Sequence, residues 1–445
     1  MNKHYKPSMF NYITHINNSM IIYNSYVGVK SICSIDKAKE NKVEHWLKSN
    51  SLPVEEDNDF YQLIKLGYLV DENKNEKNVR NMMYAQYVCN NTLNLVIHTT
   101  KQCNFRCQYC YMTFENKSMS EDVQNRIVKF IEKNLHKYTE VKISWFGGEP
   151  LLEMDVIKSL SSRVINLCKR AKKTYSSSVT TNGYLLTPMN VETLINCNVD
   201  SYTITVDGIG KDHDNLRFLR GKQPTFYTII ENLDHISKKV RCPKLRVVIR
   251  CNITKKTAPH LLSYYDYFNK KYGDDRRFSL FIRPVRNAGG ESIKVVEKDL
   301  LLDKEFDDIL FSLSRNIKNG NLKLASNYME LEPSGYTCSA ICQGKYTIGV
   351  EGDVSKCDAI DKRYIIGELN QKGDLISKGT NEEDWVTGCF EFNEKCENCF
   401  YSAVCFKGTC PIGRIDNCSN KCKLRTEEID ALICLYTNSN SIIRI

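Results

Sequence analysis

The sequence lacks several features that mark other classes of protein. Its 445 residues include no run of eighteen apolar residues and no N-terminal signal pattern, so we expect a soluble, cytoplasmic protein with no membrane partner. The net charge is +9, yet no basic block occurs, because the lysines are spread along the chain. This spread is typical of a solvated surface, with an acidic partner as the lesser alternative, and no nucleic-acid partner is expected.

Cysteine, by contrast, is abundant. The chain has 20 cysteines, and since disulfides rarely persist in the cytosol, this number indicates metal or redox chemistry. Cys103, Cys107 and Cys110 share one short loop, and the next cysteine is Cys168. A tetrahedral zinc site would need a fourth ligand nearby. A four-iron cluster can take three thiolates and leave one iron for an external ligand, so the spacing favours iron–sulfur, with zinc or coincidence as alternatives.

The cysteine loop lies between a predicted strand and a predicted helix. Residues 93–98 form an apolar run rich in β-branched side chains, as in a buried strand. After the loop, apolar residues recur every four positions, which indicates one face of a helix. These residues are Met119, Val123, Ile127, Ile131 and Leu135. The loop therefore leaves the C-terminal end of a strand, the end that carries the chemistry in α/β barrels.

Further predicted strands end in short motifs that suit ligand binding. Residues 142–146 precede Gly-Gly-Glu-Pro at 147–150, where the glycines permit a close backbone approach and the glutamate is an anionic acceptor. A Gly-Gly turn before a helix is the simpler interpretation of that segment by itself. The next strand ends in Thr-Thr-Asn-Gly at 180–183. The remaining predicted strands cover residues 202–208, 245–253 and 278–285.

The cysteine triplet and these strand ends, in this order, resemble the radical S-adenosylmethionine superfamily. The resemblance implies an α/β fold with a partial (β/α)6 TIM-like barrel over residues 89–290. It also implies a four-iron cluster on Cys103, Cys107 and Cys110, with S-adenosylmethionine bound to the cluster's open iron. The residues it assigns to S-adenosylmethionine are Tyr109, Gly147, Gly148, Glu149, Pro150, Asn182, Thr205, Arg217 and Arg250.

A second cysteine-rich region occupies residues 331–445 and resembles the SPASM extension, which holds two auxiliary four-iron clusters. The resemblance implies a first auxiliary cluster on Cys338, Cys342, Cys357 and Cys410. It implies a second one on Cys396, Cys399, Cys405 and either Cys418 or Cys422. The gap from Cys405 to Cys410 is one residue longer than usual, and Cys338 lies unusually close to Cys342, so the fourth ligand of each cluster stays open. A zinc ribbon is the alternative.

Residues 1–88 have a pattern of their own. Predicted strands at 11–16, 20–24 and 27–33, helices at 35–47 and 60–66, and a polar linker at 71–81 indicate a small α+β module. In radical enzymes that act on ribosomal peptides, similar modules hold a leader peptide along a strand edge. The alternative is a structural cover for the open barrel. Residues 291–330 are predicted to contribute a bridging helix.

The resemblance also implies the chemistry. Electron transfer from the reduced cluster cleaves S-adenosylmethionine to a 5′-deoxyadenosyl radical, which abstracts hydrogen from a substrate carbon. A low-potential donor such as a flavodoxin or ferredoxin is then an expected partner. Asp358 follows Cys357 directly, at the place where sulfatase-maturing relatives carry a general base; a solvated acid is the alternative.

We therefore predict a maturase that forms a crosslink, a cysteine thioether, in a ribosomally made precursor peptide. An anaerobic sulfatase-maturing enzyme is the alternative, although it has no need of a leader-binding module. An iron–sulfur or zinc scaffold that binds a partner protein is a third possibility. The Gly-Gly-Glu-Pro segment at 147–150 argues against a scaffold, which has no use for a cofactor cradle.

Overall fold

The computed structural model describes residues 3–317, 320–358, 362–386, 394–406, 410–416, 422 and 424–445. Its largest element is a ten-stranded sheet, and two smaller sheets of three and four strands are built mainly from N-terminal residues. Across the described ranges, no helix is long and apolar enough to cross a membrane.

The N-terminal residues form a unit of short strands and three helices. Its strands are β1 (His4–Pro7), β2 (Asn11–Ile16), β3 (Ser19–Asn24), β4 (Cys33–Ile35), β5 (Leu52–Pro53) and β6 (Leu69–Asp71), and its helices are α1 (Glu40–Lys48), α2 (Asn58–Lys65) and α3 (Glu76–Val88). Strand β1 pairs with β5 and β6, while β2, β3 and β4 form an antiparallel sheet. Trp46, Phe60 and Tyr68 are buried in the core between these elements.

The predicted strand over residues 27–33 is wrong. Gly28–Ser31 forms a 3-10 turn, and the strand begins at Cys33. Gly28 has a φ of +82°, and a Cβ there would lie 2.1 Å from a carboxylate oxygen of Glu332. A turn that brings the backbone this close to a distant segment requires glycine, so the apolar residues around it do not continue as a strand.

The predicted linker over residues 71–81 is also wrong, because helix α3 begins at Glu76. The side chain of Asn75 caps the helix by accepting from the backbone N–H of Asn78. Glu76 is buried, and its carboxylate accepts hydrogen bonds from the Ser8 hydroxyl (2.6 Å) and the Met9 backbone N–H (2.9 Å). Polar composition suggested a solvated linker, whereas tertiary partners satisfy the charged groups of this helix.

Six parallel strands alternate with helices and confirm the predicted partial barrel. The strands are β7 (Thr92–His98), β8 (Glu140–Phe146), β9 (Thr174–Thr181), β10 (Val199–Thr205), β11 (Arg246–Ile253) and β12 (Phe278–Pro284), and the helices between them are α4 (Glu121–Asn134), α5 (Met154–Arg170), α6 (Pro188–Asn196), α7 (Lys211–Leu216), α8 (Phe226–Lys239) and α9 (Leu261–Tyr272). They pair in chain order from β7 to β12. All five residues of the predicted apolar stripe before and along α4 are buried.

The sheet continues past the barrel into the cysteine-rich region. The later elements are α10 (Asp303–Asn316), α11 (Ala325–Tyr328), β13 (Lys345–Ile348), β14 (Asp353–Ser355), β15 (Ile365–Leu369), β16 (Leu375–Ser377), α12 (Glu382–Val386), α13 (Glu394–Glu397), α14 (Ser402–Cys405), α15 (Pro411–Ile415), α16 (Thr426–Ser439) and β17 (Ile443–Arg444). Strand β13 pairs in parallel with β7, and β14, β15 and β16 follow as antiparallel neighbours. The cysteine-rich region is therefore attached directly to the strand that precedes the cysteine triplet.

The last residues return to the N-terminal unit. Strand β17 pairs with β4, and Ile445 is buried in that unit's core. The Ile445 backbone N–H donates to the Ser34 carbonyl (3.0 Å), and its carbonyl accepts from the Asp36 N–H (2.8 Å). The N-terminal unit thus depends on residues from the far end of the chain for part of its sheet.

A buried ionic cluster joins α10, α16 and the end of β12. Glu428 lies near enough to Glu330 for the negative charge of Glu330 to act on it. Arg283 pairs with Glu330 at 2.5 Å, and Arg425 pairs with Glu428 at 2.5 Å and with Asp307 at 2.7 Å. Burial, with the negative charge of Glu330 as the next cause, raises the pKa of Glu428 to about 7. Two adjacent buried carboxyl groups favour holding one proton between them.

The Glu428→Gln variant should flatten the dependence of stability on pH. Since the folded pKa of Glu428 lies above its ordinary value of 4.5, wild-type stability should decline as pH rises from about 5 to about 7. A neutral glutamine of the same shape removes that contribution. Thermal midpoints measured across this range test it, with Glu427→Gln, an exposed neighbour, as the control. Equal slopes in wild type and Glu428→Gln would contradict the assignment.

Candidate functional site

The cysteine triplet lies on the loop between β7 and α4, with all three thiols partly buried. Burial raises the pKa of Cys103 to about 12 and that of Cys107 to about 11. Burial also raises the pKa of Cys110, and the positive charge of Arg217 opposes the rise at all three thiols. A buried cation beside several thiols stabilises their thiolate forms, which are the forms that bind iron.

The surroundings of the triplet fit a four-iron cluster. The Cys103 sulfur lies 3.4 Å from the Phe105 backbone N–H and 3.9 Å from the Asn182 side-chain amide, both of which can donate to a bound thiolate. Three thiolates on one loop can bind three irons of a four-iron cluster and leave the fourth iron open to an external ligand.

Gly147 and Gly148 hold the cysteine loop in place. The Gly148 N–H donates to the Thr100 carbonyl (2.9 Å), and the Glu149 N–H donates to the Gln102 carbonyl (2.8 Å). A Cβ at Gly148 would lie 1.9 Å from the Gln102 carbonyl oxygen, and one at Gly147 would lie 2.5 Å from that of Thr100. The glycines were predicted to admit a ligand; in the structure, they admit the backbone that carries the cysteines.

Glu149 is buried and already partly bonded. Its carboxylate accepts from the Thr181 hydroxyl (2.6 Å), the Asn182 N–H (2.8 Å) and the Leu151 N–H (3.1 Å). Burial raises the pKa of Glu149, and these three donors oppose the rise. A carboxylate can accept about four hydrogen bonds, so room for one further donor, such as an ammonium group, remains. Pro150 directly follows and opens a short 3-10 turn.

A second polar cluster, which sequence reasoning identified only in part, faces the triplet. Tyr109 donates to Asp207, and Arg217 donates to the Tyr109 hydroxyl (2.7 Å). Asp207 also accepts from the Asn252 backbone N–H (2.7 Å) and lies 3.8 Å from Arg217 Nε. Burial raises the pKa of this carboxyl, and the charge of Arg217 is the largest opposing cause. Asp207 was not predicted as a site residue; the available signal was a charged residue at the end of the predicted apolar strand over residues 202–208.

The other predicted S-adenosylmethionine residues lie at the ends of neighbouring strands. Thr205 ends β10 and is buried, and the side-chain amide of Asn182 donates to Asn104 of the cysteine loop (2.8 Å). Arg250, on β11, donates to the Asn252 side chain (3.0 Å). Burial lowers the pKa of Arg250, with the nearby positive charge of Arg283 acting in the same direction. The structure thus gathers the predicted residues at one end of the barrel.

The auxiliary cysteines fall into two groups. Burial raises the pKa of Cys338 to about 11, and the charges of Cys410 and Cys357 contribute, so these three thiols are near one another. Cys342 is buried, with its sulfur 3.4 Å from the Tyr87 carbonyl. These are the four residues that the resemblance assigned to the first auxiliary cluster.

The other group includes Cys399, whose pKa is raised by burial and also by the charges of Cys422 and Cys396. Cys405 ends helix α14, close in sequence to this pair. Cys418, the alternative fourth ligand, lies outside the described residues. The charge of Cys422 acts on Cys399, so Cys422 lies in the neighbourhood of this group.

Asp358 does not lie in a cavity closed to water, although a role as general base suggests such a position. Its side chain is 58% exposed and pairs with the ammonium group of Lys345, which is almost fully buried. The Asp358 carbonyl lies 3.0 Å from His98 Nε2. Burial is the main cause of the raised pKa of Tyr111, the residue after Cys110. The charges of Cys110, Asp358 and Cys357 raise this pKa further. Asp358 therefore lies between the two cysteine regions, at the solvent side.

Comparisons with known proteins agree with this site. Residues 97–262 match the family model of the Radical SAM superfamily. A cysteine-type anaerobic sulfatase-maturating enzyme from Clostridium perfringens is 22% identical over 368 residues, which cover 78% of this chain and 93% of that enzyme. An S-adenosylmethionine-dependent nucleotide dehydratase from Pseudoalteromonas ulvae is 34% identical over 105 residues; these cover 20% of this chain, and the chain spans 32% of the dehydratase.

Two solved structures share the fold. Native anSMEcpe with bound AdoMet and Cp18Cys peptide has a TM-score of 0.58 and 18% identity, covering 78% of this chain and 96% of that one. Streptococcus suis SuiB bound to S-adenosylmethionine has a TM-score of 0.50 and 17% identity, covering 94% of this chain and 100% of that one. The similarity in fold to SuiB extends over nearly the whole chain.

Residues 97–262 therefore form a radical S-adenosylmethionine domain, as the sequence predicts. The protein is thus an enzyme that contains this domain, and it is similar in sequence to a sulfatase-maturating enzyme and similar in fold to SuiB. Its domain implies S-adenosylmethionine and a four-iron cluster as cofactors.

The Gly148→Ala variant should lose the cluster at the triplet. The added Cβ would overlap the Gln102 carbonyl and displace the cysteine loop, because backbone cannot yield as a flexible side chain does. Iron analysis after anaerobic reconstitution should fall from about twelve atoms per chain to about eight. Gly221→Ala is the control, since its Cβ would meet the end of the flexible Gln223 side chain. Twelve irons in Gly148→Ala would contradict the proposed constraint.

Proposed function

We propose that the protein is a peptide maturase that forms a thioether between a cysteine and a carbon atom of a ribosomally made precursor peptide. The observation that carries the proposal is the similarity in fold to SuiB over 94% of the chain, which includes the N-terminal unit as well as the barrel. The similar structure of anSMEcpe contains a bound peptide, which supports a peptide substrate. The grouping of the auxiliary cysteines supports two further four-iron clusters.

When bound, the triplet cluster and S-adenosylmethionine supply the radical that abstracts hydrogen from the peptide. The chain's own residues position the cofactor. The Glu149 carboxylate has one acceptor site left, which would accept a hydrogen bond from the amino group of S-adenosylmethionine. Arg250 would provide a cation for the carboxylate of S-adenosylmethionine. The partly buried Tyr109 and the buried Asp207 together hold Arg217 beside the thiolates.

Asp358 is the proposed acceptor of the proton that the substrate loses. The ion pair with Lys345 fixes the position of this carboxylate, and its exposed side can pass a proton to solvent. The low-potential electron donor is proposed to be a flavodoxin or ferredoxin. A sulfatase-maturating reaction is the second candidate, supported by the sequence similarity to the Clostridium perfringens enzyme.

The Asp358→Asn variant separates cofactor cleavage from peptide chemistry. It should still form 5′-deoxyadenosine, while modified peptide decreases by roughly 100-fold or more. The substrate is a cysteine-containing precursor peptide, and mass spectrometry follows its loss of two hydrogens. Asp374→Asn, a surface variant, should behave as wild type. Normal peptide turnover in Asp358→Asn would remove Asp358 from the mechanism.

The N-terminal unit is proposed to bind the leader of the precursor along strand β2. This strand lies at the edge of its sheet, and an extended peptide can pair with such an edge. Removing the whole unit is a poor test, because Arg80 donates to the carbonyls of Cys396 and Glu397 (both 3.2 Å) and supports the cysteine-rich region.

A proline on the edge strand is a sharper test of leader binding. His15→Pro removes a backbone donor that faces away from β3, since residues 12, 14 and 16 are the ones that bond to β3, and it should weaken binding of the fluorescein-labelled precursor about 10-fold or more. Binding of a leaderless core peptide should not change. Asn18→Gly is the matched control, since Asn18 lies in the same hairpin at a φ of 63°, which glycine adopts freely. Full precursor affinity in His15→Pro, with iron content intact, would reject leader recognition and favour the sulfatase-maturating alternative.

A further inference from the structure

Two lysine side chains are buried at the first group of auxiliary cysteines. Lys345, on β13, is 1% exposed, and Lys356 is 0% exposed. Lysines are almost never buried this completely unless they are paired, because desolvating an ammonium group is costly. Two such residues beside one site therefore call for an explanation beyond packing.

Both ammonium groups are fixed beside cysteine backbone. Lys356 Nζ donates to the carbonyls of Cys342 (2.8 Å) and Gln343 (3.3 Å). Lys345 Nζ donates to the carbonyl of Lys356, the residue before Cys357, at 2.7 Å. Lys356 Nζ also lies 4.6 Å from the ring centre of Tyr346, which stabilises a cation. The lysines thus occupy fixed positions between two proposed ligands.

The acidic partners of these lysines lie nearer to solvent. Lys345 pairs with Asp358, which is 58% exposed, and Lys356 pairs with Glu382 at 3.3 Å, which is 31% exposed. Water screens an exposed charge more strongly than a buried one. Around Cys342 and Cys357 the two buried positive charges are therefore screened less than the negative charges of their partners.

We infer that Lys345 and Lys356 raise the reduction potential of the iron–sulfur cluster bound at Cys342 and Cys357, so that it accepts an electron from the substrate. The inference rests on the proposed function. In thioether formation, the carbon radical and the cysteine thiolate form the C–S bond and release one electron, and the thiol proton goes to a base. The oxidised cluster takes up that electron and becomes more negative by one charge, which a nearby cation stabilises.

The test is a redox titration followed by electron paramagnetic resonance. The full-length chain carries Cys103→Ala, Cys107→Ala and Cys110→Ala, so that the triplet cluster does not contribute a signal. Burial lowers the pKa of Lys356 to about 8, so the titration is run near pH 7, where the ammonium form prevails. Adding Lys356→Met should lower one of the two auxiliary midpoint potentials and leave the other unchanged. Lys378→Met, at an exposed lysine just after β16, is the control.

The acidic partner supplies a test of opposite sign. Glu382→Gln removes a partly exposed negative charge and keeps Lys356, so the same midpoint potential should rise. This variant leaves the buried lysine in place and therefore keeps the inference testable if Lys356→Met does not fold. Potentials that do not move in either variant, with about eight irons bound, would overturn the inference. A background chain that binds no iron at all would instead contradict the auxiliary clusters and the proposed function.

Discussion

The close contact between the cysteine loop and the Gly-Gly turn is the constraint on which the site depends. Gly147 and Gly148 let the end of β8 lie against the backbone at Thr100 and Gln102, just before Cys103. The next residue, Glu149, is then fixed by Thr181 and Asn182 at the end of β9. One contact thus aligns three strand ends, and it places the proposed amino-group acceptor beside the triplet.

The same geometry links the two cysteine regions. Strand β13 pairs with β7, so the residues that follow it lie beside the loop that follows β7. Tyr111 is near Cys110 on one side and near Asp358 and Cys357 on the other. A substrate at the mouth of the barrel would therefore be close to both the radical source and the first auxiliary group. This proximity is what a reaction that first abstracts hydrogen and then removes an electron requires.

Most of the repeating part of the fold follows from the sequence, because strands such as β7 are short apolar runs and helices such as α4 keep a regular apolar stripe, whereas β9 is largely polar. The triplet and the Gly-Gly-Glu-Pro segment also identify the site, since their spacing is local. The features that the sequence did not predict depend on partners that are distant in the chain. Helix α3 reads as a polar linker because Ser8 and Met9, which satisfy Glu76, are far away in sequence. The pairing of β13 with β7 is likewise invisible to local patterns, and so is the exposure of Asp358.

The central claim is that the triplet holds a cluster able to cleave S-adenosylmethionine. The most direct measurement mixes the anaerobically reconstituted chain with dithionite and S-adenosylmethionine and quantifies the products by liquid chromatography. The account predicts 5′-deoxyadenosine and methionine in equal amounts, in a protein that contains iron and sulfide. A protein that holds stoichiometric zinc, contains little iron and forms no 5′-deoxyadenosine would contradict it.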